Sequence, residues 1–186
     1  MGGIIALIVI AALVIILAVA YVAIYNGLVQ LRNRVEEAYS TIDVYLKRRF
    51  DLIPNLVETV KGYAAHEQQT LSEVMAARSA TATADPNARM QAEGNLTQAL
   101  RGLLAVAEAY PNLKADAQFL NLQQQLDTLE QEIAQARKYY NAIVQQMNTK
   151  VETFPSLVVA GIHHFQKAAF FQVEDEAERQ GVQVKF

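Results

Sequence analysis

The stretch 45-YLKRRFDLIPNLVETVKGYAAHE-67 decides how the chain folds, because it places a proline inside an apolar, helix-like run. A proline in a helix interior removes one backbone hydrogen bond and clashes with the preceding turn. Pro54 therefore marks either a reversal between two helices or a kink in one long helix. A reversal near residues 50–53 gives helices that pack together better than one very long helix does, so the sequence favours a tight turn.

In that arrangement the stretch forms a corner of a helical bundle, made of Arg48, Arg49, Asp51, Pro54 and Asn55. The cations end the first helix, where they complement its macrodipole. Asp51 and Asn55 are then available to cap the second helix. Binding of anionic lipid headgroups is the alternative role for the cations, but the length of helix before them places them far from the membrane.

The N-terminal part of the 186-residue chain is strongly apolar: no charged residue precedes Arg32, and residues 4–25 are an unbroken apolar run. At 1.5 Å per residue a helix of this length measures about 33 Å, enough to cross a hydrocarbon core of roughly 30 Å. A cleaved signal peptide has a shorter apolar region after a positive segment, and a buried soluble helix has a polar face. The sequence thus predicts a transmembrane helix at residues 1–25, with Ile4, Leu7, Leu13, Ile16 and Ile24 in the span.

The distribution of basic residues predicts the orientation of this span. Arg32 and Arg34 follow it closely, and nothing basic precedes it. The positive-inside rule then places a short N-terminus outside and the rest of the chain in the cytoplasm.

After the span, apolar residues recur at helical spacing, which predicts an all-α domain over residues 26–153. Its helices are expected at about 26–50, 54–81, 86–110 and 116–152, with Asp85 and Pro86 as a helix start. The fourth helix keeps a coiled-coil-like 3-4 spacing from Phe119 to Met147. Dimerisation through it is an alternative, but the neighbouring amphipathic helices favour an antiparallel, up-and-down four-helix bundle.

The tail, residues 154–186, is too hydrophobic to be a solvated end. It is expected to dock on the bundle, on another subunit or on the membrane surface. Residues 182–186 alternate like a short strand that could pair with another chain, or they fray as termini do. The residues expected to contact an oligomer or the membrane are Phe154, Val158, Ile162, Phe165, Phe170 and Phe171.

No motif in the sequence predicts a catalytic or metal site. The chain has no cysteine, which excludes thiolate chemistry and disulfides. His66-Glu67 lacks the second histidine of a zinc-protease motif, since Thr70 occupies its place. His163 and His164 are adjacent, and neighbouring helix positions do not converge on one ion. The acidic isoelectric point of about 5.6 argues against nucleic-acid binding. Because the sequence lacks catalytic and metal-binding motifs, we expect no enzyme activity, cofactor or metal.

Two long segments carry a family resemblance. The run 26-NGLVQLRNRVEEAYSTIDVYLKRRFDLIPNLVETVKGYAAHEQQTL-71 resembles the LemA family of bacterial membrane proteins, and the resemblance continues from residue 98 to residue 156. The tail, with Phe170-Phe171 and the ending Val184-Lys185-Phe186, also fits. The resemblance implies a single-pass protein of the bacterial cell membrane with its N-terminus outside. It also implies a bromodomain-like four-helix bundle and no catalytic residues.

The resemblance suggests two roles. Some members of the family are associated with magnetosome membrane formation, which implies membrane organisation, and others occur beside genes for membrane metalloproteases. From the combination of a span, a rigid bundle and an apolar tail, we expect a membrane protein that contacts lipids and self-associates through its helical domain and tail into a homo-oligomeric, ordered assembly. The alternative is a membrane-tethered adaptor that presents its bundle to a protease or signalling partner.

Overall fold

The computed structural model describes residues 1–83 and 86–171, and within them the regular structure is entirely helical. The all-α prediction is therefore confirmed for this part of the chain. Asp85 and residues 182–186, for which a helix cap and a strand were predicted, lie outside the described residues. In chain order the helices are α1 (Gly2–Tyr63), α2 (Gln68–Thr83), α3 (Pro86–Glu108), α4 (Pro111–Lys114), α5 (Ala117–Glu152) and α6 (Ser156–Ile162).

Helix α1 continues without interruption through Pro54. The predicted reversal at residues 50–53 is wrong, and with it the helix limits 26–50 and 54–81. Pro54 has no N–H to donate to the Phe50 carbonyl, four residues earlier. That carbonyl accepts a hydrogen bond from Arg78 Nε of α2 at 2.9 Å instead. A side chain thus replaces the donor that the proline removed, and the helix continues.

The chain reverses after the end of α1, at residues 64–67. The Glu67 amide donates to the Ala64 carbonyl at 3.1 Å, and the Leu71 amide donates to the Glu67 carbonyl at 3.1 Å. Because Arg78 returns to the level of Phe50, α2 runs antiparallel to the end of α1.

The chain divides into two compact units, and α1 and α5 each contribute residues to both. Unit 1 comprises residues 1–42 and 135–170, and unit 2 comprises residues 43–134 together with Phe171. The predicted division into an anchor (1–25), a helical domain (26–153) and a tail (154–186) stays a prediction, since it depends on where a membrane lies.

Unit 2 is built around one hydrophobic core to which five helices contribute. Tyr63 of α1 bonds to Asp116, at the start of α5, and Arg49 of α1 bonds to Glu130, further along α5. The two helices therefore run antiparallel. The core contains Ile53, Leu56, Val57 and Val60 of α1, Leu71 and Val74 of α2, Leu96, Leu100 and Leu103 of α3, Leu113 of α4, and Phe119, Leu122 and Leu126 of α5.

Unit 1 pairs α1 with the C-terminal part of α5, again antiparallel. The rings of Tyr39 and Tyr140 meet edge to face at 5.9 Å. Further along, Met147 and Val151 pack around Leu28, together with Val159 and Ala160 of α6.

The N-terminal part of α1 has the length and composition of a membrane span. An 18-residue window in this helix has a mean hydropathy of 3.3, and none of it is buried in the protein. Side chains in residues 1–23 are exposed, whereas burial begins with the half-buried Ile24 and Tyr25 and is complete at Leu28. The span predicted at residues 1–25 is thus a candidate membrane span by its own length and hydropathy.

Candidate functional site

The five residues predicted to form a corner lie in the middle of α1, and their side chains have different surroundings. Arg49 is fully buried, Pro54 is half-buried, and Arg48, Asp51 and Asn55 are exposed. Asp51 does not cap a helix, since it accepts a hydrogen bond from Lys47 Nζ at 3.1 Å on the same helix face. The role predicted for them, ending one helix and starting another, is therefore wrong.

Arg49 is the centre of a buried polar cluster in unit 2, which we call the Arg49 cluster: Arg49, Glu93, Thr97 and Glu130. Its Nη1 donates to Thr97 Oγ1 at 2.8 Å and to Glu130 Oε1 at 2.5 Å, and its Nη2 donates to Glu93 Oε2. The Arg49 side chain is 0% exposed and that of Glu93 only 4%. Such a buried charge is tolerated only when it is paired and hydrogen-bonded.

Within the Arg49 cluster, both terminal nitrogens of Arg49 donate to side chains, while Arg49 Nε is buried without a hydrogen-bond partner among the described residues. Arg89 adds a second cation, bonded to Asp43 Oδ1 at 2.5 Å and 3.9 Å from Glu93 Oε1. Glu93 therefore faces two guanidinium groups, and the arrangement joins α1, α3 and α5. Sequence reasoning missed it because Glu93, Thr97 and Glu130 are remote from Arg49 in the chain.

A polar groove lies beside the Arg49 cluster on the surface of unit 2. Its volume is about 670 Å³, and three of the predicted corner residues contribute to it. The α1 side is formed by Arg48, Asp51, Leu52 and Asn55, and the α5 side by Asn121, Gln124, Gln125, Thr128, Leu129 and Glu132. Four amides and a hydroxyl are among the lining residues, beside two leucines, so the groove offers a partner hydrogen bonds as well as apolar contact.

His66 and Glu67 lie at the turn between α1 and α2. Glu67 Oε1 accepts a hydrogen bond from Tyr110 Oη at 3.0 Å, which raises the pKa of that phenol. His66 is exposed. Within residues 1–83 and 86–171, no three side chains of the metal-ligating types come together.

Asp116 caps the start of α5. Its Oδ1 accepts the Phe119 amide at 2.8 Å, the geometry of an N-cap. Its Oδ2 accepts the hydroxyl of Tyr63 at 2.9 Å. Both hydrogen bonds, that from the Phe119 amide first, lower the pKa of the Asp116 carboxyl. The hydrogen bond to Asp116 raises the pKa of the Tyr63 phenol.

The end of α6 meets the end of the candidate span in unit 1. The Tyr21 hydroxyl and His163 Nε2 are hydrogen-bonded at 2.8 Å. The His163 ring lies 4.5 Å from that of Tyr25, and Phe165 lies 6.1 Å from Tyr25. This aromatic group therefore fixes α6 at the level of residues 21–25. Its far side borders a cavity of about 280 Å³ lined by Arg32, Val35, Met147, His163, His164 and Phe165, among others.

Residues 154–162, which include α6, have one buried face and one exposed face. Ser156, Val159 and Ala160 face the core of unit 1, in which Val159 and Ala160 surround Leu28. The opposite face, which we call the α6 surface, consists of Phe154, Leu157, Val158 and Ile162, with exposures of 82%, 50%, 52% and 58%.

The structure places the six tail residues predicted for oligomer or membrane contact in two environments. Phe165 is half-buried against unit 1, and Phe171 is buried. The segment between them returns along α5, because the Ala168 amide donates to Asn148 Oδ1 and Tyr140 Oη donates to the Ala169 carbonyl, both at 2.9 Å. Phe154, Val158 and Ile162 are exposed, as is Phe170.

The residues predicted for the membrane span also divide. Ile4, Leu7, Leu13 and Ile16 are more than half exposed. Ile24 instead packs against the core of unit 1. The exposed apolar part of α1 therefore ends before Ile24 on the side that α6 covers.

Comparison with known proteins gives one family and several relatives. The model of the LemA family matches residues 38–186. "Protein LemA" of Metamycoplasma hominis is 30% identical over 157 residues, covering 83% of this chain and 72% of that protein. "Magnetosome protein MamQ 2" of Paramagnetospirillum magneticum is 26% identical over 199 residues, covering 92% and 73%. "Magnetosome protein MamQ" of Magnetospirillum gryphiswaldense is 23% identical over 174 residues, covering 79% and 64%.

Proposed function

Because the chain belongs to the LemA family, as its sequence resemblance indicated, we propose that it is a non-enzymatic, single-pass membrane protein that self-associates into a homo-oligomeric, ordered assembly. The N-terminal part of α1 spans the membrane, and the helices that follow form an up-and-down four-helix bundle in the cytoplasm. The magnetosome names of the MamQ relatives support a role in membrane organisation.

The observation that carries self-association is the exposure of large aromatic side chains on unit 1 outside the candidate span. Tyr139 is 56% exposed, and Tyr39 is also exposed, with its ring against that of Tyr140. Tyrosine is enriched at the core of protein interfaces, since it combines a large apolar area with a polar end. Each of these two exposed tyrosines is suited to contact a second copy in the plane of the membrane.

The copy number in native lipid tests this proposal. The full chain is extracted into polymer-bounded native nanodiscs and its mass measured by mass photometry. Wild-type protein is expected as particles of several copies. Tyr139→Ser is expected to shift them to smaller particles, whereas Gln146→Ser, at an exposed polar position of the same helix, leaves them unchanged. Wild-type particles with a single copy at every expression level would rule out self-association.

The second candidate function, a membrane-tethered adaptor, is favoured by the polar groove of unit 2. A groove lined by amides and by Arg48, Asp51 and Glu132 is suited to a polar segment of another protein, such as a protease. Cross-linking from Gln125 in native membranes distinguishes the two candidates. Adducts that contain only this chain support self-association, and a reproducible second protein at this position supports the adaptor.

A further inference from the structure

The segment 154–162 carries a continuous apolar surface that its own chain leaves uncovered. None of its residues is charged. All four large apolar side chains of the α6 surface, Phe154, Leu157, Val158 and Ile162, are at least half exposed. The polar member, Ser156, instead lies on the buried face. This distribution is the reverse of that of a helix on a water-facing surface, where the exposed face is polar.

This segment lies beside residues 21–28 of α1. Val151, just before its start, and Val159 and Ala160 within it pack around Leu28. At its end, His163 touches both Tyr21 and Tyr25. The segment is therefore held against the part of α1 where the apolar run ends.

Residues 21–25 are the end of the apolar run, which is the level where a span leaves the hydrocarbon. A helix of about 30 Å from Ile4 reaches residues 21–24. Tyr21 and Tyr25 are the kind of residue enriched at membrane–water interfaces. Arg32 and Arg34 follow within about three turns and are exposed, so they are placed for contact with anionic headgroups.

We infer that the α6 surface is a membrane-contact site: α6 lies in the plane of the bilayer interface, and Phe154, Leu157, Val158 and Ile162 enter the acyl-chain boundary. Amphipathic interfacial helices bury their apolar faces about 5–10 Å into this boundary. The chain then holds the membrane by a span and by an interfacial helix joined to it through the Tyr21–His163 contact. This inference rests on the span of the proposed function and does not require self-association.

The α6 surface is continuous with the exposed apolar side chains of the span, and this continuity indicates that lipid covers it. Next to α6, the side chains of α1 up to residue 23 are exposed and apolar, and in the proposed orientation they face lipid. At this depth the medium around α6 is therefore the lipid interface itself. A second copy of the chain would have to displace lipid from both surfaces to cover the α6 surface.

Single-cysteine labelling of the full chain tests the inference, because the native chain contains no cysteine. Val158→Cys and Ile162→Cys are labelled with the environment-sensitive fluorophore NBD. The protein is reconstituted in phosphatidylcholine–phosphatidylglycerol vesicles. Quenching by lipids with a shallow or deep doxyl group is compared with quenching by aqueous iodide. Leu13→Cys, in the span, is the lipid control, and Ser72→Cys, exposed on α2, is the water control.

The expected result is stronger quenching of labels 158 and 162 by shallow than by deep doxyl lipids, with little quenching by iodide. Label 13 should respond most to deep doxyl lipids, and label 72 to iodide alone. If label 13 behaves so but labels 158 and 162 respond to iodide, the membrane contact is wrong and the span stands.

The remaining outcomes also give definite answers. Labels 158 and 162 that escape both quenchers, with fluorescence resonance energy transfer between differently labelled copies, would show that a second copy covers the α6 surface and would overturn the inference. If label 13 is quenched by iodide and not by lipid, the span itself is absent, and the proposed function falls together with the inference.

Discussion

At the scale of single residues, Arg78 explains how α1 passes Pro54. Its Nε bonds the Phe50 carbonyl at 2.9 Å, and its guanidinium lies 3.6 Å from the centre of the Phe50 ring. The first contact satisfies the carbonyl that Pro54 leaves without a donor, and the second adds a cation–π interaction. The residue that makes the proline tolerable is therefore on α2, 24 positions away in the sequence.

We predict that Arg78→Met destabilises the protein by about 1–3 kcal/mol, because a carbonyl is left without a partner. Pro54→Ala restores a backbone donor to Phe50, so the same Arg78→Met change is expected to cost less in the Pro54→Ala background. Urea unfolding of the full chain in mild detergent, followed by circular dichroism, measures this double-mutant cycle. Arg101→Met, exposed on α3, is the control. Equal losses in the two backgrounds would contradict the explanation.

Arg49 is the other residue whose substitution is expected to change the stability of the protein strongly. Removing one partner of a buried ion pair leaves the other charge uncompensated, which typically costs about 3–5 kcal/mol. Arg49→Met leaves the buried Glu93 with Arg89 alone among the described cations, at 3.9 Å, whereas Glu130 is one-third exposed and can reach water. We predict a loss of this size for Arg49→Met and a smaller loss for Arg49→Met combined with Glu93→Met. Arg48→Met, one position away and exposed, should change the unfolding free energy by less than about 0.5 kcal/mol.

At the scale of elements, the periodicity of α1 indicates one continuous helix, which reasoning from Pro54 alone overlooked. The buried positions of α1 include 42, 46, 49, 53, 56 and 60, with alternating steps of four and three that pass Pro54 unchanged. A reversal would have broken this periodicity. The seam was obscured at one position, because Arg49 was interpreted as a cation at the end of a helix rather than as part of the core.

Helix α5 was the element that its sequence predicted best. It spans Ala117–Glu152, against an expected 116–152. Its apolar spacing is regular, and both ends have local signals: Asp116 at the start and Pro155 after the end. The turn at residues 64–67 had a weaker signal, the polar run from His66 to Gln69. Contacts between distant residues, such as Arg49 with Glu93, had no signal in the sequence, because they depend on how distant helices meet.

Asp116, the N-cap of α5, should make the stability of the protein depend on pH. Hydrogen bonds from the Phe119 amide and then from the Tyr63 hydroxyl lower the pKa of Asp116 below its usual 3.8. The contribution of Asp116 is therefore fully present above the pKa of the unfolded chain, and it is lost as the pH falls through the lower folded value.

We predict that Asp116→Asn lowers the Tm at neutral pH and that the difference from wild type shrinks as the pH falls below the usual carboxyl pKa. The measurement is a series of thermal unfolding curves of the full chain between neutral pH and about pH 2. Asp127→Asn, at an exposed position of the same helix, should give no such convergence. A Tm difference that stays constant across the series would show that the carboxylate charge is not what stabilises the cap.

At the scale of the whole molecule, residues 154–170 of the tail belong to unit 1 and pack on its core instead of extending away from it. Val159, Ala160 and Phe165 pack around Leu28 and its neighbours. Asn148 exchanges two hydrogen bonds with the backbone of Ala168, at 2.9 and 3.0 Å. The sequence showed that this segment was too apolar to be solvated, but it could not choose the surface, since every helix of the domain offers an apolar stripe.

Truncation separates the role of this docked segment from that of the residues after it. Removing residues 154–186 uncovers Leu28, Met147 and Val151, so we expect amide hydrogen exchange to accelerate in residues 24–42 and 135–153. The core of unit 2 draws on residues 53–126 and should keep its protection. Removing only residues 172–186 leaves the contacts of α6, Phe165 and Ala168 in place, so unit 1 should exchange more slowly than in the longer truncation. Mass spectrometry of the three proteins in nanodiscs measures the difference, and equal exchange in both truncations would contradict a stabilising role for the docked segment.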